Sequence, residues 1–287
     1  MKLWAISDLH VGHAENRRFL QELEGHPDDW LALAGDLGET AEQLAFVFET
    51  LGPRFRQLVW VPGNHELWAN GSGSLRGVAK YEALVSLCRK YGVLTPEDPY
   101  ACFNDGSRSY LIAPLFTLYD YSFCLEGQSV EAAKAWSRSL GVECADEFLL
   151  HPDPYPSREA WCAARCALTE ERLAAALAEN PLPSVLINHY PLRSELARLP
   201  AIPSFRIWCG TTRTHDWHVR FRAAAVLFGH LHIPQVHRIE GVRFEEVSLG
   251  YPRERARRPA LARGLRQILP DPSAHANPSR ARVQRCL

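Results

Sequence analysis

Five apolar stretches of the chain each end in polar residues that can bind a metal ion. They are KLWAISDLH at 2 to 10, WLALAGD at 30 to 36, LVWVPGNHE at 58 to 66, SVLINH at 184 to 189 and AAAVLFGHLH at 223 to 232. Apolar, β-branched runs of this length are typical of buried strands. Because ligands bind beyond the carboxyl ends of strands in open α/β sheets, the pattern predicts one site assembled from distant parts of the chain.

The segments between these strands have the periodicity of helices. Apolar residues recur at a helical spacing over 15 to 25, 39 to 51 and 78 to 92. Helices that cross between the first three strands predict parallel pairing, because such crossovers are right-handed. A further strand is predicted at 109 to 116, and an antiparallel hairpin is predicted to turn at Glu240-Gly241.

The polar residues at the strand ends form a mixed set of metal donors. They are Asp8, His10, Asp36, Asn64, His65, His189, His230 and His232. Carboxylate, amide oxygen and imidazole without thiolate indicate a hydrolytic centre that holds Mn, Fe or Zn. Structural zinc would normally take four Cys or His ligands at close spacing, a pattern that this sequence lacks. Eight donors exceed the need of one ion, which favours two divalent metal ions.

The same motifs resemble those of the calcineurin-like metallophosphoesterase superfamily. DLH at 8 to 10, GD at 35 to 36, GNHE at 63 to 66, NH at 188 to 189 and GHLH at 229 to 232 match it in order and content. The resemblance implies an α/β fold, a four-layer α-β-β-α sandwich with two mixed β-sheets flanked by helices. It also implies hydrolysis of a phosphate ester by a hydroxide that bridges two metal ions.

The resemblance further implies a role for each donor. Asp8, His10 and His232 would hold the first metal, Asp36 would bridge, and Asn64, His189 and His230 would hold the second. Asp36 and His65 would be the catalytic residues, and His65 would face the substrate instead of a metal. A histidine that titrates near neutrality suits protonation of the departing alkoxide or stabilisation of charge in the transition state. Glu66 is interpreted as a carboxylate that orients His65 or a ligand imidazole.

Residues 1 to 252 are predicted to form one catalytic domain, because the motifs extend over most of this range and cannot be divided between independent units. Residues 253 to 287 are predicted to be a tail rich in Arg and Pro, with a helix around 260 to 269 and a partly disordered end. The tail holds nine Arg against Glu254 and Asp271, a surplus of seven positive charges. The net charge of −1 for the whole chain therefore leaves −8 on residues 1 to 252.

An acidic body is a poor match for DNA or RNA, so nucleic acid is disfavoured as a partner but stays open. The basic tail leaves two alternatives, a contact with nucleic acid or an acidic partner, or a solvated terminus. Arg outnumbers Lys 28 to 4, and with abundant Ala this indicates a bacterial genome of high GC content. No obligatory protein partner is evident.

The chain has no run of eighteen apolar residues, and its amino terminus enters a strand at once. These features predict a cytoplasmic protein without a membrane span. Eight cysteines without a compact repeated spacing fit reduced thiols better than a disulfide framework. The two thiols of CAARC at 162 to 166 are interpreted as packing residues, not as a metal site.

Substrate choice is expected to depend on segments added to the core. The stretch from 118 to 180 either caps the metal centre or covers an outer face of the sheet, and both alternatives stay open. A second candidate is the segment 205 to 221, which combines aromatic rings with hydrogen-bond donors. The candidate substrate-binding residues are His13, Asn16, Arg17, Arg193, Arg213, His215 and Trp217.

The sequence therefore predicts a two-metal phosphohydrolase that acts on a small phosphorylated substrate, a monoester or a diester such as a nucleotide. The segment after GD reads GDLGET and lacks the arginine by which protein phosphatases of this superfamily hold phosphate, which argues against a Ser/Thr phosphoprotein phosphatase. One alternative is a metal-dependent phosphodiesterase or nuclease acting on nucleic acid. Another is a non-catalytic interaction scaffold on the same fold.

Overall fold

The computed structural model describes residues 1–69, 71, 73–257 and 264–272. Within these ranges the strands are β1 Leu3–Ile6, β2 His26–Leu33, β3 Phe55–Trp60, β4 Ala101–Asn104, β5 Ser109–Pro114, β6 Ser184–Ile187, β7 Ala223–Phe228, β8 Val236–Ile239, β9 Val242–Glu246 and β10 Arg266–Leu269. The helices are α1 Ala14–Glu22, α2 Ala41–Leu51, α3 Asn64–Leu67, α4 Gly77–Lys90, α5 Val130–Ser139, α6 Asp146–Leu149, α7 Arg158–Glu179, α8 Trp217–Arg220 and α9 Pro252–Arg257.

The strands form two mixed sheets. The first has the order β10-β1-β2-β3, with β1, β2 and β3 parallel and β10 antiparallel to β1. The second has the order β4-β5-β6-β7-β9-β8, in which the four central strands are parallel and both edge strands are antiparallel. This architecture confirms the predicted sandwich of two mixed sheets flanked by helices, including the hairpin at Glu240-Gly241.

The central strands are apolar on both faces because each face is covered. Ala32 and Ala34, at the end of β2, belong to a core cluster between the two sheets, together with Val185 and Leu227 of the second sheet. Leu31 and Leu33 point the other way, into the larger core beneath the helices. Continuous apolar runs of this kind are expected in parallel sheets that are buried on both faces.

Part of the long insertion from 118 to 180 covers the core, and its role as a cap over the metal centre stays a prediction. Helix α7 buries Trp161, Cys162, Cys166 and Leu173 and carries Arg165, whose Nε donates to the carbonyl oxygen of Phe116 just beyond β5. The short helix α6 instead extends towards the carboxyl ends of the strands. The insertion therefore covers the core with one helix and reaches the predicted site with another.

The helix predicted around 260 to 269 is not formed over its last four residues. Arg266–Leu269 is the edge strand β10 of the first sheet, with Ile268 fully buried. The Arg- and Leu-rich pattern favours a helix locally, but pairing with the free edge of β1 overrides that preference. Residues 258–263 and 273–287 lie outside the described residues.

Two simple observations bear on the compartment. Within the part of the chain that the structure describes, no helix is long and apolar enough to cross a membrane. The seven described cysteines are free, and the two thiols of CAARC are buried in α7.

Candidate metal centre

The predicted metal donors meet at the carboxyl ends of five parallel strands. Asp8 and His10 follow β1, Asp36 follows β2, and Asn64 follows β3, so the first sheet supplies both carboxylates and the amide. The second sheet supplies only imidazoles: His189 follows β6, and His230 and His232 follow β7. A parallel bridge between Ser7 and Ser248 joins the two sheets beside Asp8.

The donors form groups with the spacing of metal ligands. Candidate ligand atoms of Asp8, His10 and His232 lie within 4.8 Å of one another, and so do those of Asp36, His189 and His230. A third group of the same tightness joins His10, Asp36 and His65. Asn64 Oδ1 lies 3.2 Å from His189 Nε2, beside the second group.

Five of these residues have a backbone conformation that residues other than glycine rarely adopt. The φ angle is positive at Asp8 (53°), His10 (41°), Asp36 (54°), His230 (69°) and His232 (54°). The left-handed region costs a residue other than glycine roughly 1–2 kcal/mol. Such strain persists where surrounding structure holds the backbone in place, and it is typical of functional sites.

The glycines of the motifs leave room for the carboxylates. A Cβ atom on Gly63 would lie 2.1 Å from Asp36 Oδ1, and one on Gly229 would lie 2.2 Å from Asp8 Oδ2. Gly35 has a φ of +88°, and its Cβ would lie 2.6 Å from His189 Nδ1. The glycine in each of GD, GNHE and GHLH is therefore required by the close approach of a donor side chain.

The two carboxylates are buried and held by hydrogen bonds. Asp8 accepts a hydrogen bond from Ser248 Oγ at 2.7 Å and from the backbone N–H of His230 at 3.1 Å. Asp36 Oδ1 accepts from the backbone N–H of His65 at 2.9 Å. Burial raises the pKa of both carboxyl groups, but the neighbouring imidazoles of His232 and His189 outweigh it and hold each pKa well below its usual range.

Hydrogen bonds on the far side of two imidazoles aim their other ring nitrogens at the centre. His189 Nδ1 donates to the carbonyl oxygen of Ala34 at 2.9 Å, and His232 Nδ1 donates to Glu254 Oε2 at 2.7 Å. These bonds fix the tautomer and leave each Nε2 pointing into the centre. His230 Nε2 is buried and has no hydrogen-bond partner among the described residues.

The charges of the imidazoles follow from their neighbours. Burial lowers the pKa of His10 and of His230 to about 3, so both rings are neutral. Burial also lowers the pKa of His189, but Asp36 more than compensates and raises it to about 10. The buried carboxylates thus attract positive charge strongly, and the neutral imidazoles of His10 and His230 lie beside them as possible metal ligands. This donor set fits a pair of divalent cations.

Asn64 is oriented by a residue that the sequence analysis missed. Its Nδ2 donates to Asp146 Oδ1 at 2.9 Å, so its Oδ1 is turned towards His189. Trp68 Nε1 donates to the same Asp146 oxygen at 2.6 Å. Asp146 is fully buried in α6, and no local motif marks it, because it lies 82 residues from its partner.

His65 lies at the edge of the centre between several groups. Its Nδ1 donates to Glu39 Oε1 at 3.3 Å, and its ring packs against Trp68 at a tilt of 34°, with the ring centroids 3.7 Å apart. Its Nε2 lies 3.8 Å from Asp36 Oδ2 and 3.5 Å from Tyr251 Oη. Burial lowers the pKa of His65, but Asp36 and Glu39 outweigh burial and raise it.

The role suggested for Glu66 is wrong. Its carboxylate accepts hydrogen bonds from the backbone N–H groups of Asp36 at 3.0 Å, Leu37 at 2.7 Å and Gly63 at 2.9 Å. Burial raises its pKa to about 7. Glu66 therefore holds the GD and GNHE loops together instead of orienting His65 or a ligand imidazole.

A cavity of about 190 Å³ opens at the centre. One wall is apolar and consists of Leu199, Ile202 and Phe205, while Tyr251 and Glu254 line another side. None of the five was named individually as a substrate-binding candidate, although Phe205 begins the candidate segment 205 to 221. Leu199, Ile202 and Phe205 lie in or beside a loop with a short 3-10 helix that has no recognisable motif, and tertiary packing alone brings them to the site.

Several substrate-binding candidates are engaged elsewhere in the structure. Asn16 is buried and donates to the carbonyl oxygens of Leu9 and Gly250. Arg17 donates to the carbonyl oxygen of Val11 and lies over the ring of Phe46. Trp217 is fully buried. The structure accounts for these three side chains by packing, and their contact with a substrate stays a prediction.

The remaining candidates lie in two places. Arg193 bonds to Glu195 and to the carbonyl oxygen of His215, whose Nε2 accepts from the backbone N–H of Ser194. Arg213 is exposed beside Asp120. The described lining of the metal-centre cavity includes none of these three. His13 is closer, with its ring 5.5 Å from that of Tyr251.

Comparison with known proteins places the chain in a family. The family model described as calcineurin-like phosphoesterase matches residues 1–234. The chain belongs to the calcineurin-like phosphoesterases. This membership confirms the resemblance seen in the motifs, and it makes the chain a metal-dependent phosphoesterase, so the alternative of a non-catalytic scaffold is wrong. The family uses a dinuclear divalent metal centre, and the residues described above are candidate ligands for it.

One relative of this calcineurin-like phosphoesterase covers nearly the whole chain. The [acyl-carrier-protein] phosphodiesterase PptH of Mycobacterium tuberculosis is 46% identical over 274 residues, which are 94% of this chain and 84% of the relative. The crystal structure of the phosphopantetheinyl hydrolase PptH from the same organism has a TM-score of 0.87 and 45% identity. It covers 95% of this chain and 97% of that one.

Proposed function

We propose that the chain is a phosphodiesterase that cleaves the ester bond between a carrier protein and its phosphopantetheine arm. The observation that carries the proposal is the 46% identity to an acyl-carrier-protein phosphodiesterase over 94% of the chain. The predicted small phosphate ester is thereby refined to a diester with one arm on a protein. A nucleotide substrate is not confirmed by these comparisons. The carrier substrate also favours the cytoplasmic location predicted from the sequence.

In this proposal the donors keep the roles implied by the motifs. Asp8, His10 and His232 would hold one metal ion, Asn64, His189 and His230 would hold the other, and Asp36 would serve both. When bound, two divalent ions supply a water of lowered pKa and offset the charge of the phosphoryl oxygens. The buried Nε2 of His230, which has no hydrogen-bond partner within the described part of the chain, supports this assignment. The metal can be Mn, Fe or Zn, since all three suit these donors.

His65 is the proposed proton donor to the leaving alkoxide. Glu39 accepts from its Nδ1, so the proton held at Nε2 faces the cavity. Packing against Trp68 restricts the ring, and Asp36 and Glu39 favour its charged form. A protonated imidazole that is held in this way is suited to general-acid catalysis, which typically contributes a factor of about 10² to 10⁴ in rate.

The test uses a purified carrier protein that bears the phosphopantetheine arm, with Mn²⁺ added to the enzyme. Loss of the arm, followed by mass spectrometry of the carrier, is the expected result. His65→Ala should lower kcat at least about 10²-fold while the bound metal is retained. The control His237→Ala, at an exposed position in β8, should leave kcat unchanged. A wild-type enzyme that leaves the carrier intact but hydrolyses other phosphate esters would contradict the proposal.

A further inference from the structure

A groove of about 630 Å³ lies next to the metal centre, between α1 and α9. It is lined by His13, Glu15, Tyr251, Pro252, Arg253 and Ala256. Tyr251 lines this groove and the metal-centre cavity alike. Its ring stacks on His10 with the ring centroids 4.4 Å apart. The groove therefore adjoins the site where a phosphodiester would react.

The catalytic cavity is too small to hold a whole diester with two large arms. Its volume of about 190 Å³ is below the roughly 300–1,000 Å³ of pockets that enclose a small molecule. Its apolar wall of Leu199, Ile202 and Phe205 offers a surface to one arm. The second arm must leave the cavity by another side, and at Tyr251 the cavity adjoins the groove.

The two helices beside the groove are basic in an otherwise acidic molecule. Together α1 and α9 contain five arginines against the three glutamates Glu15, Glu22 and Glu254. Glu254 already accepts a hydrogen bond from His232, and Arg17 and Arg255 are likewise engaged, with the carbonyl oxygens of Val11 and Gly250. Arg18, Arg253 and Arg257 are exposed. A positive surface next to the site favours a negatively charged partner and accelerates its encounter with the enzyme.

The basic surface is held in a fixed shape. Arg255 Nη1 donates to Asn16 Oδ1 at 2.5 Å and to the carbonyl oxygen of Gly250 at 3.0 Å, which ties α9 to α1. Of the exposed arginines, Arg253 lines the groove, whereas Arg18 and Arg257 lie outside its described lining. A small phosphate group needs convergent donors, whereas a protein surface with several carboxylates matches separated ones.

We propose that the groove between α1 and α9 receives an acidic surface of the carrier protein, while the pantetheine arm lies against the wall of Leu199, Ile202 and Phe205. This inference rests on the proposed function. Tyr251 then stands at the junction, where the ester oxygen of the carrier side enters the metal centre. Electrostatic complementarity of this kind mainly raises the rate at which the two proteins associate, and salt weakens it.

The experiment compares two substrates, the phosphopantetheine-bearing carrier and the small diester bis(p-nitrophenyl) phosphate. The double variant Arg253→Glu/Arg257→Glu should lower kcat/KM for the carrier about tenfold relative to kcat/KM for the small diester, mainly through KM. Arg18→Glu, on the other helix, should act in the same direction. High ionic strength should lower the wild-type kcat/KM for the carrier and should have less effect on that of the variants.

The matched control is Arg108→Glu, which reverses an exposed charge in the turn between β4 and β5. This turn precedes β5 and so lies at the amino ends of the parallel strands, whereas the metal centre lies at their carboxyl ends. The control should leave both substrates unaffected. Equal losses on both substrates, or none on the carrier, would overturn the inference. A wild-type enzyme that does not cleave the carrier at all would refute the proposed function instead, and the inference with it.

Discussion

Two of the candidate ligand imidazoles are oriented by hydrogen bonds to groups that are not candidate ligands themselves. Ala34 fixes His189 through its carbonyl oxygen, and Glu254 fixes His232 through its carboxylate. These two partners differ in chemistry, because a backbone carbonyl cannot be removed by substitution whereas a side-chain carboxylate can. Glu254 is therefore the residue at which the orientation of a ligand can be tested without touching the ligand.

Glu254→Gln should weaken metal binding at the site formed by Asp8, His10 and His232. The amide can still accept a hydrogen bond from His232 Nδ1, but it lacks the negative charge that makes the imidazole more basic. Loss of such a partner typically costs about 10- to 100-fold in metal affinity. Titration of Mn²⁺ into metal-free enzyme measures the change. Glu179→Gln, at the exposed end of α7, is the control and should leave the affinity as it is.

Gly229→Ala should disrupt the centre by contact alone, because the new methyl group would lie 2.2 Å from Asp8 Oδ2 and 2.3 Å from Ser7 Oγ. Overpacking of this kind costs about 1–3 kcal/mol, and displacement of Asp8 should also lower the amount of bound metal. Urea denaturation and metal analysis measure the two effects. In contrast, Gly52 has helical backbone angles and no atom within 4 Å of a new Cβ. Gly52→Ala should therefore stabilise the protein by about 0.4–1 kcal/mol, and a loss of stability there would refute the steric argument.

At the scale of elements, Arg165 anchors the middle of α7. Arg165 Nη2 donates to Glu97 Oε1 at 2.6 Å, and its guanidinium lies 4.6 Å from the ring of Phe116. Tyr81 Oη donates to the same glutamate oxygen at 2.6 Å. Burial raises the pKa of Glu97, but Arg165 outweighs it and holds the pKa below the ordinary value of 4.5.

This anchor should make stability depend on pH. A carboxyl group whose pKa is lower in the folded state stabilises the protein above its unfolded pKa, and this contribution is lost as the pH falls through the folded pKa. Glu97→Gln should therefore cost about 1.5–3 kcal/mol at neutral pH, and the cost should shrink below about pH 4.5. Urea denaturation at a series of pH values measures it. A difference between wild type and variant that stays constant from neutral to acid pH would contradict the argument. Glu82→Gln, exposed on α4, should show no difference at any pH.

The sequence predicted the elements that a local pattern of residues is enough to define. The five motif strands could be predicted because apolar runs are long and end at donors, and α2 because its apolar residues follow a helical period. The strand β10 could not, because its conformation depends on the edge of β1 more than 260 residues away. Tyr251 and Glu254 reach the centre from a segment assigned to the boundary of the tail. The apolar wall of the cavity was missed for the same reason, since packing, not spacing, positions it.

At the scale of the whole molecule, part of the segment predicted as a tail is a structural strand. Ile268 is fully buried between the sheets, in the same cluster as Leu3 and Val247. Ile268→Ala should cost about 2–5 kcal/mol of the free energy of unfolding. Val236→Ala, at a position in β8 that is 52% exposed, should change it by less than about 0.5 kcal/mol. Urea denaturation compares the two, and equal small effects would mean that β10 contributes nothing to the fold.

The division of the donors between the sheets has a mechanical consequence. In the proposed assignment each ion takes ligands from both sheets, with Asp8 and His10 opposite His232 for one ion and Asn64 opposite His189 and His230 for the other. The free energy of metal binding is then also energy that fastens one sheet to the other, since only the folded sandwich brings the two halves together. In that assignment the centre links the two sheets as well as catalysing the reaction. A chelator that stops hydrolysis should at the same time weaken the contact between the sheet of β1 and the sheet of β7.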